Sequence, residues 1–442
     1  MSQLTSTTFS KILPSKTQLI FITFIFLFTF IFLLNFPLTS TPLQQHSPLT
    51  SDIFSLITPT ASNQNTSVFA LPNEPNYVAP SPPPVTVTEN ESSPTLRRSC
   101  DIFDGNWVYD DSGPIYPPGS CPYVGGSFNC FINGRPDLDY LNYRWQPHGC
   151  DIPRFDGKKM MEILRGKRMV FAGDSLNRNM WDSLICSLSA FNIRGTKHIR
   201  PDEFTYFFKD YKSSITVLTA PFLARHQRTE GPKADEKPMA RLHIDEIHDT
   251  IAKYYDADVL IFNTGQWWHP ANTHNGENFF QEGKAYVHEK LDVEEAYKRS
   301  MNTWAQWIDN TINIKKTKVF FVSLTAVHFI GGEWNANGTC DSTEIIKPTE
   351  PTKDQVLDPY QPWIKNIQEL VISKMKTPVV YLNITRLTDY RKDGHPSRYR
   401  MPGYKWFPGM PQDCMHWCLP GVPDSWNQLL YASLLSSSQN YM

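Results

Sequence analysis

Apolar positions fall into runs along the chain, and the first is nearly unbroken over residues 19–34, reaching Phe36 and Leu38 with only Asn35 and Pro37 between. That length is just enough to span a bilayer. Lys11 and Lys16 precede it, and no Lys or Arg follows until Arg97, so the positive-inside rule predicts a type II anchor over 19–38, with 1–18 cytoplasmic and the rest luminal. A cleaved signal peptide is the alternative; the run is long for one and no small-x-small site follows. Residues 39–98 are rich in Pro, Ser and Thr and lack periodicity, as expected of an extended stem.

From residue 99 to 154 Gly, Pro and Cys are frequent and both strand and helix periods are poor, which predicts a loop-rich cap held by disulfides. Periodicity then returns. It predicts a short helix at 158–164, a buried strand at 169–172, a turn at Gly173 and a helix at 176–188. Strands at 204–211 and 215–223, separated by three residues, predict an edge hairpin, and 224–238 a polar loop. A buried strand at 258–263 and a helix at 293–312 follow, with Trp304 and Trp307 at core spacing. Strands at 319–324 and 379–383 flank a helix at 363–375, and a last helix spans 426–435. Strands alternating with helices predict a doubly wound α/β fold with a mostly parallel sheet over 155–442.

The candidate chemistry sits in two of the breaks. Ser175 lies between a strand end and a helix N-terminus, near free backbone N–H groups and the positive end of the helix dipole, a setting suited to a nucleophile that generates an oxyanion. Serine needs a base. Asp413-Cys-Met-His416 supplies one: His416, with Asp413 close enough in a turn to accept the other ring proton. Taken singly, Gly-Asp-Ser is common and Asp-x-x-His also caps turns. Asn263-Thr-Gly-Gln-Trp-Trp268 follows another strand end, where ligands bind in open α/β sheets, so this loop and the Ser175 turn are expected to share a crevice. Asn263 and Gly265 are candidates to join the Ser175 N–H in an oxyanion hole. Trp267, Trp268 and Arg178 are candidate substrate contacts, although adjacent Trp side chains point different ways and one of the two is expected to be structural. Arg135 and Asp137 fit a local ion pair better than a substrate contact.

Composition changes this picture little. A formal charge of −2 over 442 residues gives no indication of nucleic acid. The 13% aromatic content, with 12 Trp and 19 Tyr, suits either a Trp-rich core or stacking on sugar rings. All eight cysteines follow the apolar run, and an even number in an oxidising compartment predicts four disulfides whose pairing spacing leaves open. Cys414-x-His416-x-Cys418 matches no usual zinc spacing, so no metal is expected. Asn65, Asn90, Asn337 and Asn383 open candidate glycosylation sequons.

Together, Cys100-Asp-x-Phe-x-Gly-x-Trp107, Gly134-Arg-Pro-Asp137, Gly173-Asp-Ser-Leu-Asn-Arg-Asn179, Asn263-Thr-Gly-x-Trp-Trp268 and Asp413-Cys-x-His-Trp-Cys-Leu-Pro-Gly-Val-Pro-Asp424 resemble the plant trichome birefringence-like family, and most of all its trichome birefringence subgroup. The resemblance covers residue 100 to the C-terminus. It implies a Golgi type II membrane protein whose SGNH/GDSL-like α/β/α sandwich transfers acetyl groups to hydroxyls of a cell-wall polysaccharide such as xylan, another hemicellulose or pectin. Ser175 would be the nucleophile, His416 the base and Asp413 its orienter. An acetyl donor, acetyl-CoA or another carrier, is required, and no bound cofactor. The implied disulfides are Cys100–Cys150, Cys121–Cys186, Cys130–Cys418 and Cys340–Cys414. Position 266 is Gln where the family often has His, so no role is carried to it. An acetylesterase with the same three residues and a non-catalytic polysaccharide-binding protein are the alternatives.

Overall fold

The computed structural model describes residues 100–229, 239–284, 286–340, 362–403 and 407–439. The expected tail, anchor and stem (1–18, 19–38 and 39–98), with Asn65 and Asn90, lie outside the described residues. Among those described, no helix is long and apolar enough to cross a membrane.

In chain order the elements are β1 (Gly105–Tyr109), β2 (Tyr143–Pro147), α1 (Gly157–Ile163), β3 (Arg168–Gly173), α2 (Ser175–Ala190), β4 (Thr196–Arg200), β5 (Glu203–Phe208), β6 (Ser213–Thr219), β7 (Ala224–Thr229), β8 (Met239–Ile247), α3 (Asp249–Ala252), β9 (Val259–Phe262), β10 (Phe280–Glu282), β11 (Tyr286–Val287), α4 (Val293–Thr311), β12 (Lys318–Val322), α5 (Trp363–Ile372), β13 (Val379–Leu382), α6 (Thr385–Asp389) and α7 (Val422–Gln439).

The central sheet has the order β13-β12-β9-β3-β6-β5-β4. From β13 to β6 all neighbours are parallel; β5 and β4 are antiparallel. Strand alternation splits the interior into two cores. Met169, Phe171, Val259, Ile261 and Phe320 face α1, α2 and α7, whereas Val170, Ala172, Leu260, Phe262 and Phe321 face α4 and α5. Apolar residues on both faces explain why these strands read as continuous runs. Each of these side chains apart from Ala172 contributes about 1.5–3 kcal/mol when fully buried. The chain runs from β3 to β6 on one side and then returns to β9 on the other, so the crevice between β3 and β9 is a topological switch point. Ser175 and Asn263 follow these two strands.

The departures from expectation are polar or short elements. Residues 224–238 are not a loop throughout: β7 pairs antiparallel with β8 in a second sheet of order β11-β10-β8-β7. These strands escaped detection because their polar side chains bond one another, Arg225 to Glu246 and His243 to Gln227. The expected hairpin exists as β5–β6, yet β4 takes the sheet edge and β6 lies inside it. All five residues of β4 are exposed, which erases any apolar alternation. The cap is not purely loop: β1 and β2 form a two-stranded ribbon whose Trp107 and Trp145 meet edge to face and are buried. Helix α7 starts at Val422 rather than Trp426, with Pro423 in its first turn, where a missing N–H costs nothing. Trp304 is buried as expected and Trp307 packs beside it on Phe262.

Candidate active site

Strand β3 ends at Gly173, where space dictates the residue: a Cβ there would lie 1.9 Å from Asn263 Oδ1. This close approach lets the Asn263 carboxamide clasp the turn, accepting from Asp174 N–H at 3.1 Å and donating to Asp174 Oδ1 at 2.6 Å. Asp174 is the N-cap of α2, its Oδ1 accepting from Leu176 N–H at 2.9 Å. Ser175 is then the first helical residue, and its N–H has no intrahelical acceptor. Asn177 ties the turn to both strand ends by donating to Ala172 O and Ile261 O.

The partner segment has no regular structure. Asp413 forms a bridge with Ser397 and, through Oδ1, accepts from Met415 N–H at 3.2 Å and His416 N–H at 3.0 Å. His416 Nδ1 lies 2.9 Å from Asp413 Oδ2, and its Nε2 lies 2.6 Å from Ser175 Oγ. With Nδ1–H donated to the carboxylate, Nε2 is left to accept from the serine hydroxyl. Asn179, one turn beyond Ser175, bonds both the N–H and the C=O of Trp417. Cys414 is joined to Cys340 and Cys418 to Cys130, so both ends of the loop are covalently held. The other bridges join Cys100 to Cys150 and Cys121 to Cys186, which completes the pairing implied by the resemblance. With both flanking thiols bridged, Cys414-x-His416-x-Cys418 has no thiolate to offer zinc.

Burial pushes the Asp413 carboxyl up, but the attraction and hydrogen bonds of His416 outweigh it and hold it well below the usual range. Burial would lower the His416 pKa, yet the charge and hydrogen bond of Asp413, with Asp174 nearby, carry it above the ordinary value. The arrangement is a hydroxyl, an imidazole and a carboxylate in series, with the serine half-buried and reachable. Phe128 of the cap packs its ring 5.4 Å from that of His416 and so forms one wall.

Other expected residues are distributed unevenly. Asn263 is at the turn, with one of its amide protons engaged by Asp174. Gly265 packs its Cα against Leu324 and Ile364 in the core. Trp268 is a correction: fully buried, stacked on Phe280 and edge-on to Tyr297, it has no face for substrate. Trp267 is half-buried against Phe222. Arg178 donates from Nε to Asp182 and lies over Phe204 and Trp181, leaving 26% of its side chain exposed. Arg135 pairs with Asp137 as expected and also reaches Asp393 O and His395 O, tying the cap to the chain before the His416 loop. Gln266 donates to Thr325 O in the interior. Asn337 is exposed on a turn, whereas Asn383 is half-buried and its sequon partner Thr385 is buried, with its hydroxyl donating to Leu324 O. Asn177, Asn179, Phe128, His328 and His395 were not singled out beforehand; for the two asparagines the signal was their place in the Gly173–Asn179 motif.

Residues 152–433 match the family described as PC-Esterase, a GDSL/SGNH-like acyl-esterase family found in Pmr5 and Cas1p, and residues 98–151 match the PMR5 N-terminal domain. Fold and site thus define a GDSL/SGNH-like acyl-esterase domain preceded by a small cap. Protein trichome birefringence-like 4 of Arabidopsis thaliana is 50% identical over 372 residues, 81% of this chain and 80% of that protein. Protein trichome birefringence-like 1 and protein trichome birefringence, from the same plant, are each 46% identical over 352 residues, 76% of this chain; the match spans 62% and 56% of their respective lengths. The chain belongs to the trichome birefringence-like family.

Proposed function

We propose that the chain is an O-acetyltransferase that moves an acetyl group through an acetyl-serine to a hydroxyl of a plant cell-wall polysaccharide, xylan, another hemicellulose or pectin. The observation that carries this reading is the series Ser175 Oγ to His416 Nε2 at 2.6 Å and His416 Nδ1 to Asp413 Oδ2 at 2.9 Å. Ser175 Oγ attacks the acetyl carbonyl of the donor while its proton passes to His416 Nε2. The tetrahedral oxyanion collapses, and the departing donor group takes that proton. A sugar hydroxyl then gives its proton to His416 as its oxygen attacks the acetyl-serine carbonyl. Collapse releases the sugar ester and returns the proton to Ser175 Oγ. Asp413 keeps the imidazole oriented and balances its transient charge. The Ser175 N–H, the second amide proton of Asn263 and the Gly265 N–H are the proposed oxyanion donors. Trp267 and Arg178, each partly exposed, remain proposed substrate contacts.

The donor is an acetyl-CoA-like thioester or another acetyl carrier, and no metal enters any step. Cap (99–154) and catalytic domain (155–442) are proposed to lie in the Golgi lumen behind an anchor at 19–38, with exposed Asn337 a better glycan acceptor than Asn383. An esterase is the second reading, favoured by the acyl-esterase description of the matching family. The full chain, wild type beside Ser175→Ala, is incubated with an activated acetyl donor with and without deacetylated xylan, mannan, xyloglucan and pectin oligosaccharides, and peptides and sugars are weighed by mass spectrometry. The expected result is an acetyl on Ser175 that moves to one class of sugar and is absent in the variant. Acetate release indifferent to sugar would replace transferase by esterase. No acetyl on Ser175 and no acetylated sugar from any donor would end the catalytic reading.

A further inference from the structure

Behind the His416 loop lie two more histidines that the chemistry above does not use. His395 and His328 are buried, 2% and 9% exposed. His395 Nδ1 is 2.6 Å from the backbone oxygen of His416. A carbonyl oxygen only accepts, so that nitrogen carries a proton. At the other end His328 Nε2 is 3.1 Å from Asp389 O and 3.6 Å from Asp389 Oδ1. Both are acceptors, so this nitrogen is protonated as well. Between the rings, His328 Nδ1 and His395 Nε2 are 2.7 Å apart, a contact that requires one shared proton. Two neutral imidazoles bring two ring protons, and these contacts need three.

We propose that the His328–His395 pair holds three ring protons and one net positive charge, and that it acts as a positioning device seating the His416 backbone for attack by Ser175. The Asp389 carboxylate faces His328 and is the counter-charge. The other titratable or charged groups near the pair are Asp413 and His416 on the loop and Arg135, which donates to His395 O. The charge belongs on His328, beside Asp389. Burial, with the His328 charge, drives the His395 pKa well below its ordinary value, consistent with a neutral middle ring. The Trp417 ring covers His395 at 4.1 Å. His416 is thereby held at both peptide groups, its N–H by Asp413 and its C=O by His395, and its ring is aimed at Ser175 from that held backbone by the Nδ1 contact with Asp413. The inference rests on Ser175 being the nucleophile only in its kinetic consequence, and not in its proton count.

The test has two arms. In the full chain labelled with 15N-histidine, with the rings assigned from His328→Gln and His395→Asn spectra, near-neutral spectra are expected to show three of the four ring nitrogens of the pair protonated. Two would overturn the proposal. In the second arm a fluorophosphonate probe reports Ser175 nucleophilicity without any sugar or acetyl donor. His395→Phe, which removes the donor to His416 O, is expected to slow labelling ~10²-fold, the cost of misplacing a reacting group by about 1 Å. His395→Asn places an N–H where Nδ1–H was and is expected to recover most of the rate. Equal losses in both variants would overturn the positioning role. A wild type that never labels would defeat the nucleophile reading, while the spectra still decide the proton count.

Discussion

Ser175 and His416 meet at 2.6 Å from supports of different kinds. Ser175 stands where a central parallel strand hands over to a helix, so backbone hydrogen bonds, a side-chain N-cap and a glycine with no room for Cβ decide where its hydroxyl lies. His416 stands in a stretch with no helix or strand, held by two disulfides, by the turn bonds of Asp413 and by Asn179 gripping the Trp417 peptide. The contrast teaches that a precise side-chain geometry does not require regular structure at every position. Where the chain leaves the sheet, covalent staples and side chain to backbone bonds supply the restraint that a ladder supplies elsewhere.

The largest expected effect breaks the polar series within the irregular half. Asp413→Asn is expected to slow acetylation of Ser175 by an activated ester ~10⁴-fold, as loss of the orienting carboxylate does in such triads. It also changes the pH profile. As the proposed base His416 acts only when neutral, so the wild-type rate is expected to rise with pH through a midpoint above the ordinary histidine value of about 6.5. Without the Asp413 charge that midpoint moves down. A rate loss under about tenfold, with the midpoint unmoved, would remove Asp413 from this role.

The next tests the staple itself. Cys340 and Cys414 close a stretch with a sequence separation of 74. In the chain-entropy account such a bridge contributes ~4 kcal/mol, and Cys340→Ser with Cys414→Ser is expected to lower denaturant stability by about that much. Fluorophosphonate labelling of the folded variant should fall too, because Cys414 is two residues from His416. Unchanged labelling in a destabilised protein would mean that hydrogen bonds alone seat the loop, and the comparison between the two halves would lose its covalent term.

The same contrast governs what was legible beforehand. Strand β3, helix α2 and the Ser175 turn are local: apolar period, glycine and an Asx N-cap lie within a few residues of one another. Asp413 and His416 were legible because a three-residue spacing closes in a turn. His328 and His395 were not, since their partners Asp389 and His416 lie 61 and 21 residues away and no local pattern connects them. Strands β7 and β8 carry polar residues that satisfy one another across the ladder, so burial and polarity part company there. Trp267 and Trp268 are chemically identical neighbours, and only the packing of Trp268 on Phe280 and Tyr297 separates them.

The smallest expected effect concerns the group that joins both halves from behind. Asp424, in the first turn of α7, accepts from Ser183 on the Ser175 helix, from Tyr116 in the cap and from Gly421 N–H just beyond the His416 loop. Burial pushes its carboxyl up to about 6 despite those donors. A carboxyl whose folded pKa lies above its unfolded value, about 3.9, favours the folded state fully below the latter, and this contribution is lost as pH rises through the former. Wild type is therefore expected to lose roughly 2 kcal/mol of its advantage over Asp424→Asn between about pH 4 and pH 6, because only the wild type has a carboxyl to ionise at position 424. The check is the difference in denaturation midpoint between the two proteins across that range. If the difference is flat, the Asp424 carboxyl is already ionised at pH 4 and its donors, not burial, set its charge. The tie between helix, cap and loop would then be an anion held by three hydrogen bonds.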